Sequence, residues 1–541
     1  ILPNFRSLQQ YGNRLSSSCT ARAVLVDMEP KVVQAYVDLA SQGSSATSYK
    51  TQHYTNSEVI NFDQIKGWDY NPAATVIDQA GSGNNWAYGY NIHGKKHEDA
   101  ILQCINKQLE MCEYTNALLL FQSMAGGTGA GVGSFILQCL KDYLPKTPLY
   151  SVCVWPFLDG EISIQSYNAA LSLDSAYQFC EGIFFLENER FKNLCRHIDR
   201  SKDPTVEAIN HQMSLFLTAS TAISAGTMNI GGYMRDPLST ILNDLCCHPS
   251  YKLLTSRFLP QTAESVRSFS DDSYPSLLRR LHHMFSSSSI IDFAASGYSD
   301  YKEDSNVIPG SNDISSMYNQ FVNMRIGTSQ RPKFYCFSSQ QTQQSLEHEK
   351  NKHTQARTFS YSESEQKESK FSQPIVTNST TRLSGTVSSR YSSKSFQSKK
   401  TISLLGKNNI RPKKSPVVSP QVSLQNASVG SILSIYGEKS GMANADSFKE
   451  DIRYSSWCID PLKIWKSTHS FSGLSQSVAM ISNCQTPLFA ISTVLRRAEQ
   501  LALHNAYIHQ FEQFNLQKEE ILVAIRKLQY IQHSYQSLSH L

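Results

Sequence analysis

No run of about eighteen or more apolar residues occurs in this 541-residue chain, so nothing in it reads as a membrane-spanning helix. The stretch 1–21 lacks the apolar core of a signal peptide. The 12 cysteines form no CxxC pair. Cys246 and Cys247 are adjacent, a spacing that suits neither a disulfide ladder nor a zinc site, and the thiols read as reduced. Charged residues are few at 18% and hydrophobic ones at 40%, below the ordinary levels of about 25% and about 45–50%. Ser, Gln, Asn and Thr fill the difference. The chain opens on Ile1 rather than Met, and we expect its N-terminus to be incomplete.

The net charge of +5 is an average of two unlike parts. Residues 345–425 carry 14 Lys+Arg against 5 Glu, and the remainder carries 36 against 40. The basic stretch is rich in Ser and Lys, poor in large aliphatics and aperiodic. It cannot bury enough apolar surface to offset an ordering cost of about 1–2 kcal/mol per residue. It is expected to be a disordered insertion. Three roles stay open for it: a solvated tether, a segment whose charge is switched by phosphorylation at Ser415 or Ser419, each before a proline, or a contact for an acidic polymer.

The ordered parts alternate strand, turn and helix. Ala23-Val-Leu-Val-Asp27 reads as a buried strand that delivers Asp27 and Glu29 to its carboxyl end, with a helix over 31–39 after Pro30. Residues 41–80 read as polar and irregular, apart from one short apolar stretch near Val59. A Gly/Asn turn at 80–88 precedes a helix over 97–113. A strand over 117–121 leads into Ser123-Met-Ala-Gly-Gly-Thr-Gly-Ala-Gly-Val-Gly133, then a helix, then a strand over 149–155. This pattern predicts an α/β fold with a parallel sheet that binds its ligand at the carboxyl edge of the strands. The glycine loop follows a strand and opens a helix, as a phosphate cradle requires. It is neither a GxxxxGK[ST] loop nor a dinucleotide fingerprint, and a tight turn without ligand is the plain alternative. Helices are also expected over 208–229, 495–514 and 518–538, the last with a stripe of Ile521, Leu522, Ile525, Leu528 and Ile531.

Ala125-Gly-Gly-Thr-Gly-Ala-Gly131 resembles the signature loop of the tubulin superfamily. Arg22-Ala-Val-Leu-Val-Asp-Met-Glu-Pro30 resembles the family's acidic second loop, and Gly81-Ser-Gly-Asn-Asn-Trp-Ala-Tyr-Gly89 its third. Ser166-Tyr-Asn-Ala-Ala-Leu171, Glu187-Asn188-Glu189 and Ala506-Tyr-Ile-His-Gln-Phe511 follow in family order. Ala125 in place of the first glycine, Gln165 in place of Glu, Val154-Trp155-Pro156 and the absence of a Glu-rich tail resemble the delta branch, with the epsilon branch or a divergent lineage as alternatives.

The resemblance implies a tubulin-like fold: a GTP-binding domain over 1–205, a core helix over 206–232, a mixed α+β intermediate domain over 233–485 that hosts the 345–425 insertion, and C-terminal helices over 486–541. It implies GTP or GDP held by Ala125, Gly126, Gly127, Thr128, Gly129 and Ala130, with Ser82, Gly83 and Asn84 as the wall beside the last phosphate. Asn188 and Asn210 would read guanine, since an amide offers both a donor and an acceptor. Asp27 and Glu29 would hold Mg²⁺ directly or through water, because carboxylates beside phosphates need an intervening hard cation. The implied partners are alpha, beta and epsilon tubulins, microtubules and centriole or basal-body proteins, with no membrane and no specific nucleic acid. The implied location is cytoplasm and cytoskeleton, at centriole, basal body and cilium. The implied role is structural: triplet-microtubule assembly and cilium biogenesis. A nucleotide-free scaffold, its basic insertion on acidic tubulin tails, is the alternative.

Four departures bear on that site. The family's first loop has no counterpart, so its first strand and helix are expected to be missing, by truncation of the sequence rather than by natural loss; were the loss real, nucleotide binding would be weak or absent. Ala130 stands where a Ser hydroxyl is usual, and losing one hydrogen bond to a charged group costs about 1.5–3 kcal/mol. Val206 stands where an aromatic stacks on the base, a contact worth about 1–3 kcal/mol. In Arg235-Asp-Pro-Leu-Ser-Thr-Ile241, Thr240 takes the place of the acid that positions water at a neighbour's nucleotide. Thr cannot act as that base, and Asp236, four residues away, could substitute only under a shifted alignment, so the chain is at most a weak GTPase with no catalytic residue of its own. A stoichiometric mixture with a polymerising partner is therefore expected to hydrolyse GTP no faster than the partner alone. Fast hydrolysis that disappears only on changing a residue of 235–241 would contradict this.

Overall fold

The computed structural model describes residues 19–42, 53–55, 58–60, 68–158, 160, 162–200, 203–221, 237–293, 426–449 and 453–538. These belong to one unit, Ile1–Ser311 with Val422–Leu541. The insertion over 345–425, Asp236 and the stretch 222–236 lie outside the described residues.

Six strands of three residues come first and pair two by two. β1 (Cys19–Ala21) runs parallel to β5 (Trp68–Tyr70), and β2 (Leu25–Asp27) parallel to β6 (Thr75–Ile77). β3 (His53–Thr55) runs antiparallel to β4 (Glu58–Ile60). The stretch 41–80 is therefore not irregular throughout. Three-residue strands are too short to display an alternating pattern, which is why its composition hides them. The expected buried strand over 23–27 is shortened to Leu25–Asp27 and only half-buried. Among the described residues it pairs with β6 alone and stands outside the main sheet.

Among the described residues the main sheet has seven strands, in the order β12-β11-β13-β10-β9-β8-β7. β7 (Leu118–Ser123), β8 (Leu149–Trp155), β9 (Gly182–Glu187) and β10 (Leu253–Leu259) are mutually parallel. β13 (Ser477–Cys484) runs antiparallel to β10, β11 (Ser428–Tyr436) antiparallel to β13, and β12 (Leu462–Ser467) parallel to β11. β8 and β9 are near-continuous apolar runs because both of their faces are covered. Leu149, Cys153 and Trp155 of β8 with Ile183 and Phe185 of β9 pack under Gln165–Phe179 and the C-terminal helices. The alternate residues, Tyr150, Val152, Phe184 and Leu186, pack against Phe191, Met213 and Phe216 on the other face. The period-two alternation of strand side chains thus builds both layers at once.

Helix boundaries differ from expectation at three places. The helix expected over 97–113 begins at Trp86 and passes through a π-helical stretch, Gly89–Gly94, into Lys95–Glu110. Its two glycines disguise the start. The helix expected from 208 spans Val206–Thr221. The stretch expected to be one helix over 495–514 is broken into Leu488–Leu503 and His509–Glu512. Asn505 and Tyr507 adopt φ of 52° and 61° there, a left-handed geometry that Asn tolerates and an α-helix does not. The last helix, Lys518–Ser537, turns Ile521, Ile525 and Leu528 into the core and keeps Leu522 and Ile531 at its margin.

One buried amide ties the middle of the main sheet and the segment before β10 to that last helix. Asn483 of β13 has no solvent exposure. Its Nδ2 donates to the carbonyls of Leu245 (2.7 Å) and Tyr251 (2.8 Å), and its Oδ1 accepts from the Tyr535 hydroxyl at 2.7 Å. The Tyr535 oxygen in turn accepts the Leu253 amide at 2.9 Å. Asn483→Leu strands several buried groups, each worth about 1–3 kcal/mol, so a loss of at least about 3 kcal/mol in urea unfolding is expected. A change below about 1 kcal/mol, the worth of an ordinary hydrogen bond, would show that the knot is dispensable.

Candidate functional site

The register of the parallel strands sets the site. Ser123 of β7 lies beside Val154 of β8, and Trp155 of β8 beside Glu187 of β9. The segments that leave these strands therefore emerge along one edge, where open α/β sheets hold their ligands. Behind β8, Gln165 keeps the turn in place by donating to the Phe157 carbonyl at 2.8 Å.

The glycine loop leaves β7 and enters a short π-helical stretch, Thr128–Val132, which continues as the helix Gly133–Tyr143. The Gly131 amide donates to the Gly127 carbonyl at 2.8 Å. Amides of a helix's first turn have no intrahelical acceptor, and the helix dipole adds positive potential around them. Gly127 could be nothing else: a Cβ there would lie 2.4 Å from the Ser82 carbonyl oxygen. At Gly126, by contrast, a Cβ would meet nothing nearer than Asn84 Oδ1 at 3.6 Å, so this side of the loop is open.

The 81–85 loop sits directly against it. Gly83 and Asn84 are consecutive left-handed residues, with φ of 56° and 51°. Asn85 then caps the helix start, accepting from the amides of Ala87 (2.8 Å) and Tyr88 (3.2 Å). Its Nδ2 donates to the Gln510 carbonyl at 2.9 Å, which ties the loop to the C-terminal region. Ser82 is buried, and its hydroxyl lies 3.2 Å from the Thr128 hydroxyl.

A residue that the sequence did not single out joins the two loops. Asn168, on the helix Gln165–Phe179, has no solvent exposure. Its Nδ2 donates to the carbonyls of Asn84 (2.7 Å) and Ala125 (2.8 Å), and its Oδ1 accepts the Trp86 amide at 3.0 Å. The one signal available was its place inside the Ser166–Leu171 match, where an interior amide reads as core.

The acidic pair lies on the other side of the 81–85 loop. The Glu29 amide donates to Asp27 Oδ1 at 3.1 Å. The Glu29 carboxylate lies against Gly81, where a Cβ would fall 2.9 Å from Oε1. Burial raises the Asp27 carboxyl above its usual range, because withdrawal from water disfavours its charged form. Among the described residues no cluster of three or more His, Cys, Asp or Glu exists. Two hard oxygen donors nevertheless fit Mg²⁺, which is usually held by one or two carboxylates plus waters and phosphate oxygens.

Asn188 and Asn210 stand apart from this junction. Asn188 is half-buried at the first position of the helix Asn188–Asp199, directly after β9. Asn210 is exposed on Val206–Thr221. The two helices are held together by Phe191 on Phe216, with ring centres 5.1 Å apart. Among the described residues neither Asn is hydrogen-bonded to the glycine loop. Val206 is exposed, and Ala130 is fully buried with no hydroxyl to offer. Thr240 is buried on the helix Pro237–Leu245.

The two loops touch through Ser82 and Thr128, and Asn168 ties both to the helix behind them. Asn168→Leu leaves two carbonyls and one amide unpaired, at about 1–3 kcal/mol each. GTP affinity, read by calorimetric titration, is expected to fall at least about tenfold, a loss of about 1.4 kcal/mol. Unchanged affinity in a folded variant would refute the clamp.

Residues 5–196 match the model of the Tubulin/FtsZ family, GTPase domain. The chain is 25% identical to a tubulin delta chain of Canis lupus familiaris, covering 96% of this chain and 87% of that one. It is 24% identical to the tubulin delta chain of Macaca fascicularis and 23% identical to that of Homo sapiens, with the same coverage of each. The matched stretch includes all of the acidic loop, the 81–85 loop, the glycine loop and Asn168. Residues 5–196 thus carry a tubulin-type GTPase domain, and the chain as a whole is similar to delta-tubulins, members of a family of cytoskeletal GTP-binding proteins.

Proposed function

We propose that this protein binds GTP or GDP with Mg²⁺ and acts in centriole and basal-body assembly, where it supports triplet microtubules and cilium biogenesis. The observation that carries the nucleotide reading is the junction made by Asn168. One buried amide holds the 81–85 loop and the glycine loop in register, with the Ser82 and Thr128 hydroxyls 3.2 Å apart between them. The amides of Gly126, Gly127, Thr128, Gly129 and Ala130 would take the phosphates, with Ala125 leading in. Ser82, Gly83 and Asn84 would close around the last phosphate. Asp27 and Glu29 would hold Mg²⁺, which supplies charge neutralisation between carboxylates and phosphates. Asn188 and Asn210 would receive the base. Residues 1–205 would form the nucleotide domain, 206–232 the core helix, 233–485 the intermediate domain and 486–541 the C-terminal helices.

The centriolar part of the reading is supported by relatives that bear the delta-chain name. Alpha, beta and epsilon tubulins, microtubules and centriolar proteins are the partners that it implies. A second reading, a nucleotide-free scaffold, draws on the buried Ala130 and the exposed Val206, each a missing contact to the nucleotide. Titration with Mg·GTP separates the two: binding at micromolar Kd or better, about −8 kcal/mol, is expected. Silence up to millimolar ligand favours the scaffold. A fluorescent fusion is expected at centrioles and basal bodies, and an even distribution along all microtubules would contradict that placement.

A further inference from the structure

Behind the two loops lies a buried histidine that nothing above uses. His93, in the π-helical stretch Gly89–Gly94, is only 2% exposed. Its Nδ1 lies 2.9 Å from Ser82 Oγ, and Ser82 Oγ lies 3.2 Å from Thr128 Oγ1. The three groups form a line from the interior to the mouth of the glycine loop. The imidazole packs against the Tyr88 ring, with centres 4.6 Å apart, and 6.3 Å from the His97 ring. His97 Nε2 is 2.8 Å from Asp78 Oδ2, which also accepts Lys96 Nζ at 2.6 Å. Asp78, His97, Lys96 and Tyr88 are thus the titratable groups around it. Burial lowers the His93 pKa from its usual value, so the ring is neutral at physiological pH.

A neutral imidazole carries one N–H, and each hydroxyl has one proton and two acceptor lone pairs, so a line whose bonds all point the same way has two directions. With Nδ1 bare, Ser82 donates inward to His93 and Thr128 donates inward to Ser82. The Thr128 oxygen then faces the mouth as an acceptor. With Nδ1 protonated, His93 donates to Ser82 and Ser82 donates to Thr128. The Thr128 proton is then turned outward. A phosphate oxygen is an acceptor only, and it is bound by the second direction and repelled by the first.

We infer that His93 is a positioning residue of the nucleotide site: as the Nδ1–H tautomer it drives a two-hydroxyl relay, through Ser82, that aims the Thr128 hydroxyl at a phosphate oxygen. This deepens the proposed function and rests on it. The relay also supplies a donor near the loop whose Ala130 lacks one. His97, held by Asp78, is a neighbour of the relay and not a member of it.

Calorimetric titration of Mg·GTP into variants tests the relay. His93→Leu is expected to weaken binding about tenfold, the loss of one hydrogen bond to a charged group. His93→Asn places an amide N–H where Nδ1–H was, and is expected to restore affinity to within about twofold of wild type. Ser82→Ala is expected to lose as much as His93→Leu, and the double variant no more than Ser82→Ala alone. Full additivity of the two losses, or wild-type affinity in His93→Leu, would overturn the inference. Should the leucine variant fail to fold, ¹⁵N-histidine spectra of the wild-type protein decide. On adding Mg·GTP the His93 Nδ1 is expected to be the protonated nitrogen, and a protonated Nε2 with bare Nδ1 would overturn the relay. A wild-type protein that binds no GTP contradicts the nucleotide reading itself, whereas one that binds with the opposite tautomer contradicts the relay alone.

Discussion

The amide of Asn168 makes three hydrogen bonds where water cannot reach, and the arrangement of the 81–85 and glycine loops follows from them. Its two donors fix carbonyls of the 81–85 and glycine loops, and its oxygen fixes the amide that begins the next helix. Backbone groups facing a ligand mouth gain nothing from packing. Their positions have to be set by a partner whose own position is rigid. Asn168 meets that condition because the helix Gln165–Phe179 is buried on almost every side. The close approach of Gly127 to Ser82 then becomes possible only without a side chain. The Ser82–Thr128 contact, and with it the line back to His93, is a consequence of the same clamp.

Electrostatics sharpen the picture. The first turn after the glycine loop offers amides and a favourable dipole, while Asp27 and Glu29 across the 81–85 loop offer negative charge. Both cannot serve one polyphosphate without a cation between them. Half-burial raises the Asp27 pKa, and a cation bound at the pair would favour its charged form. Asp78, by contrast, is held far below its usual range by Lys96 and His97. It stays charged on the outer side of His93.

Much of the fold was legible because identity alone carried it. A glycine cluster between an apolar strand and an amphipathic stripe admits few geometries, and β8 and β9 announce burial by their composition. Other features were not legible. The six three-residue strands are shorter than any periodic signal. The helix from Trp86 was hidden by Gly89 and Gly94, which sit where the backbone needs close approach: a Cβ on Gly89 would lie 2.2 Å from the Gly127 carbonyl oxygen. Asn505 and Tyr507 interrupt an amphipathic pattern that reads as continuous. Within the site, Ser82, Asn84 and the glycines announced themselves by sequence. Asn168 and His93 did not, because a buried polar side chain is recognisable only from the partners that three-dimensional structure brings to it.

The central claim is that two loops, joined through Asn168, form one phosphate-binding surface. Backbone hydrogen exchange with and without Mg·GTP measures it most directly. The account predicts that amides of 81–85 and of 125–130 gain protection together on adding nucleotide. No change in either loop, or protection of one without the other, would contradict it.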